Sequence, residues 1–125
     1  MDEHCERMWL RISLRAYSIY ICLIYFTPPL NANSLKSFTD SVMEMTELQG
    51  QRLILLGDFN CAEFIDSLPG LEFIPSDNIN VSNLHKLCAF HNLSPKNFVR
   101  NTTHNRVLDQ FFDNLHTFYT SSKKK

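Results

Sequence analysis

The densest grouping of chemically useful side chains is Gly57-Asp58-Phe59-Asn60, which directly follows the apolar run Leu53-Ile54-Leu55-Leu56. Asp58 and Asn60 are two positions apart, so in extended backbone they point to one side while Phe59 points to the other and anchors in the core. A carboxylate and an amide side by side on a rigid strand end suit phosphate-ester hydrolysis. The carboxylate can take a proton from water, and the amide N–H can steady negative charge developing on a phosphoryl oxygen. The same four residues also suit a plain turn, in which both polar side chains bond nearby backbone. Spacing alone leaves the two readings open. In an open α/β sheet, ligands sit beyond the C-terminal ends of the strands, and Asp58 stands at such an end.

The elements that must position these groups can be read from periodicity. Trp9 to Arg15 alternates, with Leu10, Ile12 and Leu14 on one face and Arg11, Ser13 and Arg15 on the other, the pattern of a half-buried strand. Ser18 to Tyr25 is nearly all apolar and β-rich, as expected of a central strand covered on both faces. The two form a hairpin, and Thr27-Pro28-Pro29 ends the second strand. Leu35, Phe38, Val42, Met45 and Leu48 recur at helical spacing, predicting a helix over Leu35–Gln49 capped by Asn33 or Ser34 and stopped by Gly50. Strand, helix and the strand Arg52–Leu56 then make a crossover with a parallel pair. A turn is expected at Pro69-Gly70, a short strand over Leu71–Ile74, a second helix over Val81–Asn92 with Leu84, Leu87 and Cys88 inward, and a last strand over Val107–Phe112. Residues 1–8 read as a ragged N-terminus, 9–116 as one domain and 117–125 as a frayed basic tail.

Composition bounds the function. The chain has 125 residues with 12 basic and 13 acidic side chains, for a net charge of −1, so no bulk positive charge marks a nucleic-acid binder and any phosphate partner must be met by local chemistry. Cys5, Cys22, Cys61 and Cys88 show no C-x-x-C spacing, and no zinc pattern surrounds them. Buried reduced thiols at Cys22 and Cys88 point to a reducing compartment, hence an intracellular protein, nuclear or cytoplasmic. The N-terminus does not read as a signal peptide. The longest apolar run, Ile19–Phe26, falls far short of the roughly 20 residues of a membrane helix, so no membrane partner is expected.

Three stretches together resemble the endonuclease/exonuclease/phosphatase superfamily, most closely the endonuclease domains of non-LTR retrotransposons, whose frames also encode a reverse transcriptase. Leu53 to Asn60 resembles its G-D-[FL]-N signature. Ile24-Tyr25-Phe26-Thr27-Pro28-Pro29 resembles its strand ending in Tyr-x-Pro, with two residues here between Tyr25 and Pro28. Asn105-Arg106-Val107-Leu108-Asp109-Gln110-Phe111-Phe112 resembles its R-[IL]-D-hydrophobic strand, with one extra residue before Asp109. The resemblance implies an α/β fold: a partial two-sheet, deoxyribonuclease-like sandwich with mixed sheets and flanking helices. It also implies a Mg²⁺-dependent phosphodiesterase acting on DNA. Asp58 would orient or deprotonate the attacking water, Asn60 would hold the scissile phosphate and share a weak metal site with Asp58, Tyr25 would reach the phosphate or leaving oxygen, and Asp109 would orient a catalytic group. Each has a plainer reading: Tyr25 ending a strand with its hydroxyl in water, Asp109 a buried acid satisfied by backbone donors.

The family's N-terminal asparagine strand, its metal-binding glutamate and its closing Ser-Asp-His have no counterparts here. Glu3 and Glu6 have no strand pattern before them, and His116 has no Ser-Asp before it. The expectation is therefore the middle of a nuclease domain, with open sheet edges that favour self-association. Three readings remain: an endonuclease fragment with little activity, an active phosphodiesterase that recruits missing groups from a partner chain, and a non-catalytic α/β interaction module that retains the scaffold. The first predicts that the 125-residue chain nicks supercoiled plasmid in Mg²⁺ no faster than the metal-free background, since removing one member of a catalytic unit costs several orders of magnitude. Strong nicking that Asp58→Ala abolishes is the contrary result.

Overall fold

A computed structural model of the chain describes residues 4–61, 78–95 and 109–118. In chain order it contains β1 (Cys5–Ser13), β2 (Ser18–Phe26), α1 (Ala32–Glu44), a 3-10 turn (Thr46–Leu48), β3 (Arg52–Asp58), α2 (Ile79–His91), β4 (Ser94–Pro95) and β5 (Asp109–Asp113). The strands form one mixed sheet in the order β1-β2-β3-β5-β4. β1 and β2 make the expected antiparallel hairpin. β2 and β3 are parallel across the α1 crossover, and β5 returns antiparallel to β3. The expected turn at Pro69-Gly70, the strand at Leu71–Ile74 and residues 119–125 of the expected tail lie outside the described residues, whereas Thr117 and Phe118 are not frayed: their backbone N–H groups donate to the carbonyls of Asn114 and Leu115, both at 3.1 Å.

Both helices pack on the same sheet face. Leu35, Phe38 and Val42 of α1 and Val81, Leu84 and Leu87 of α2 share one buried core with Cys22, Ile24 and Phe26 of β2, Leu53 and Leu55 of β3 and Phe112 of β5. Phe59, just past β3, is fully buried. Its ring lies 5.6 Å from Phe26, 6.1 Å from Phe38 and 5.4 Å from Phe112 between centroids, distances at which edge and tilted contacts add to the area each ring removes from water.

Several expectations are corrected. β1 begins at Cys5, so residues 5–8 are strand and not ragged. Leu10, Ile12 and Leu14 are exposed, and the face of β1 that meets the core carries Cys5 and Trp9. β2 has one covered face: Cys22, Ile24 and Phe26 are buried, while Leu23 and Tyr25 are open. Its apolar run marks a strand with two apolar faces, not one with two covered faces. α1 starts earlier than expected because Asn31 caps it, accepting a hydrogen bond from the Ser34 backbone N–H at 3.0 Å. It ends at Glu44, and the last expected turn tightens into the 3-10 segment before Gly50, which takes a φ of 69°. α2 is likewise capped by an asparagine, Asn78.

All four cysteines are free thiols. Burial pushes the Cys22 thiol up to about 12, opposed by the nearby Arg7 and reinforced by Cys5, so it stays protonated at neutral pH.

Two contacts close the end of the sheet opposite Asp58. The Arg52 guanidinium lies between the rings of Tyr17 (3.7 Å) and Phe118 (4.2 Å), a double cation–π contact. Asn114 is buried. Its Oδ1 accepts from the Leu53 backbone N–H at 2.8 Å, and its Nδ2 donates to the carbonyls of Gln51 (2.8 Å) and His91 (3.3 Å). One side chain thus ties the start of β3 to the end of β5 and the end of α2. Asn114→Ala leaves a buried N–H and two carbonyls without this partner and is expected to cost about 2–4 kcal/mol. Asn114→Asp keeps the acceptor and loses both donated bonds. Urea unfolding of both variants measures the difference, and a loss below about 0.5 kcal/mol for Asn114→Ala contradicts the clamp.

Candidate functional site

The backbone register brings three of the four sequence-derived site residues into one row. Tyr25 pairs with Asp58 across β2 and β3, and Asp58 pairs with Asp109 across β3 and β5. Neighbouring strands lie about 4.8 Å apart, so the row spans about 10 Å from Tyr25 to Asp109. Glu6 extends it on β1 as the register partner of Tyr25. Directly paired residues project to the same face of a sheet. For Glu6, Tyr25 and Asp58 that is the face away from the helices.

Asn60 sits differently from the expectation. β3 ends at Asp58, and Asn60 adopts left-handed backbone with φ 50°, so strand alternation does not carry through to it. The Asp58 Oδ1 accepts from the Asn60 backbone N–H at 2.9 Å, the Asx-turn arrangement. The Asn60 Nδ2 donates to the Phe26 carbonyl at the end of β2. Asparagine tolerates this left-handed conformation better than most residues. Phe59 points into the core, as its place between two polar residues predicted. The polar pair is therefore joined through the backbone, and it stitches the end of β3 to the end of β2.

Gly57 makes the row as tight as it is. Its φ is 151°, and a Cβ built there meets the Ile24 carbonyl oxygen at 1.8 Å. No side chain fits that gap, so only glycine lets β3 close on β2 beside Asp58. Along the outer face, Glu6, Met8, Leu23, Tyr25, Leu56 and Gly57 line a shallow groove of about 380 Å³. Of the row, Glu6 and Tyr25 line it, and Asp58 lies next to it along β3.

Glu6 was weighed in the sequence and set aside because no strand pattern precedes it, and the Ile24–Gly57 approach was not picked out. Alternation from Ile12 and Leu10 back through Met8 to Glu6 was the signal for the first. The second left only a glycine before an acid, which a simple turn explains equally well. His116 is exposed, and His91 is buried with its Nε2 3.1 Å from the Val42 carbonyl, a structural contact between the helices. Among the described residues, no group of three or more His, Cys, Asp or Glu side chains converges as a metal site.

The chain matches no family model, no curated protein and no solved structure.

Gly57→Ala is expected to be among the most damaging small substitutions, costing about 3 kcal/mol or more through the backbone clash and the positive φ. Gly50, with φ 69° but open space around it, provides the comparison: Gly50→Ala should cost only about 1 kcal/mol. Chemical denaturation of both variants checks the ranking, and equal losses refute the close-approach argument.

Proposed function

We propose that the Tyr25–Asp58–Asp109 row is the phosphate-handling end of an incomplete phosphodiesterase domain of the endonuclease/exonuclease/phosphatase type, a partial deoxyribonuclease-like two-sheet sandwich with little activity alone, and that DNA is the substrate class its site suits. The observation that carries this reading is the register. Three residues separated by 33 and 51 positions in the chain fall side by side on three adjacent strands, at the strand ends where open α/β sheets bind ligands.

In this mechanism Asp58 is the water-orienting base, held by the turn that its own carboxylate accepts. The Asn60 amide spends one N–H on the Phe26 carbonyl and keeps a second for a phosphoryl oxygen. The Tyr25 hydroxyl, on an exposed ring beside Asp58, stabilises the leaving oxygen. Asp109 supplies the second acid of the row. The donors on offer at Asp58 and Asn60 are hard oxygens, the ligand chemistry of Mg²⁺, which takes one or two carboxylates and completes its shell with water and phosphate. When bound, Mg²⁺ would neutralise charge on the phosphoryl group.

A specific observation favours a second reading, a non-catalytic α/β interaction module. The Asp58 Oδ1 closes the turn and the Asn60 Nδ2 ties it to the Phe26 carbonyl of β2, and neither structural role needs a substrate. Mn²⁺ titrated into isotope-labelled protein separates the two. The phosphodiesterase reading expects paramagnetic broadening first at the amides of Tyr25, Asp58 and Asn60, and at least a tenfold weaker effect in Asp58→Asn with the fold retained. Broadening centred on Asp40, Glu44 and Glu47 of the α1 region, or unchanged by Asp58→Asn, leaves the interaction module as the function.

A further inference from the structure

β1 stands at one end of the sheet, and only one side of its backbone ladder is made. The Leu14 N–H donates to the Tyr17 carbonyl, and the Thr27 N–H donates to the His4 carbonyl. These bonds flank the β1–β2 register, so alternation gives β2 the backbone groups of Glu6, Met8, Leu10 and Ile12. Arg7, Trp9 and Arg11 turn their N–H and C=O groups outward, and among the described residues nothing bonds them there. The same alternation puts these three side chains on the helix side of the sheet. The Arg7 Nη1 accordingly lies 3.4 Å from the Ser41 Oγ, and its guanidinium lies 5.6 Å from the centre of the Phe38 ring. The Arg11 Nε lies 3.4 Å from the Ser13 Oγ. Both arginines are exposed, with Trp9 half-buried between them. Among the described residues neither arginine meets a carboxylate.

We propose that this edge takes an extended acidic segment of a partner protein as an added antiparallel strand, with an acid opposite Arg7, an apolar residue opposite Trp9 and an acid opposite Arg11. Main-chain bonds to an open edge supply the affinity of strand addition, and alternate side chains supply its specificity. Directly opposed residues on an antiparallel pair share a face, where opposite charges attract and like charges repel. That rule argues against a second copy of this chain. Two β1 strands paired about a two-fold axis centred anywhere from Arg7 to Arg11 set an arginine of one copy opposite, or one diagonal step from, an arginine of the other. Charge on an edge strand guards against such self-pairing, and the same charge admits an acidic strand. A nucleic-acid backbone fits less well. Each outward residue offers one donor and one acceptor, whereas phosphates only accept. The added strand extends the sheet in its own plane, so it leaves the Tyr25–Asp58 row open, and the inference does not rest on the phosphate reading.

The test is fluorescence anisotropy of the full 125-residue chain with a labelled, capped peptide whose core is glutamate–threonine–valine–threonine–glutamate, flanked by threonines. Saturable binding below about 1 mM is expected. Arg7→Glu and Arg11→Glu, each at an exposed position and checked for folding by circular dichroism, should each weaken it at least about threefold, the size of an exposed ion pair. A peptide with lysine in place of both glutamates should bind the double variant within about threefold of the original pairing. N-methylation of the valine amide, which faces β1, should abolish binding, and N-methylation of the core threonine amides, which face away, should not. No saturable binding, no change in Arg11→Glu, or full binding by the valine-methylated peptide overturns the proposal. So does tighter binding of duplex DNA through the same two arginines. A homodimer in sedimentation equilibrium that Arg11→Pro dissolves also overturns it, because that change removes only an outward N–H from the ladder and would place a second copy on the edge.

Discussion

The meeting of β2 and β3 at Ile24 and Gly57 constrains everything around the candidate site. A parallel pair usually tolerates any residue at a ladder position, but here the carbonyl of Ile24 occupies the space where a Cβ would lie. This fixes how far β3 can advance against β2, and so which residue comes level with Tyr25. Because alternation has a period of two, a one-residue slip would turn Asp58 towards the helices and Phe59 out to water. The steric fit at Gly57, the burial of Phe59 among three rings and the turn closed by Asp58 and Asn60 all favour the same register. Local and tertiary preferences agree at this point, which is what a well-specified structure requires.

Much of this was legible in the amino-acid sequence. The crossover from β2 through α1 to β3 followed from two apolar runs separated by a helical period, and Phe59's inward direction followed from its polar neighbours. Other features were not legible, for identifiable reasons. Which face of β1 is covered depends on which side the crossover helices lie, and Leu10, Ile12 and Leu14 look like a core stripe until the helices are seen on the Cys5 and Trp9 side. The start of α1 was misplaced because Asn31 and Asn33 are equally good caps by type, and only backbone geometry distinguishes them. Asn114 carries no local sign of its role, since its three side-chain partners are 23 to 63 positions away.

The row of site residues shows both the strength and the limit of motif reasoning. Tyr25 and Asp109 were selected by resemblance and Asp58 first by its place at a strand end, and the backbone sets the three level on adjacent strands. Asn60 was selected by the same resemblance, yet its left-handed backbone and its bond to the Phe26 carbonyl follow from the need to end a strand without leaving its neighbour's carbonyl unpaired. A residue can satisfy a motif and a turn at once, and the two roles make different demands on its atoms. The turn takes one N–H and the backbone conformation, leaving the amide oxygen and a second N–H for other chemistry.

The groove and the open apolar face raise the question of how a polar row gains chemical leverage. A carboxylate in water interacts weakly with its neighbours, because solvent screens it and competes for its hydrogen bonds. Half-buried at the mouth of β3, Asp58 is partly shielded already, while Met8, Leu23 and Tyr25 on the same sheet face stay open to water.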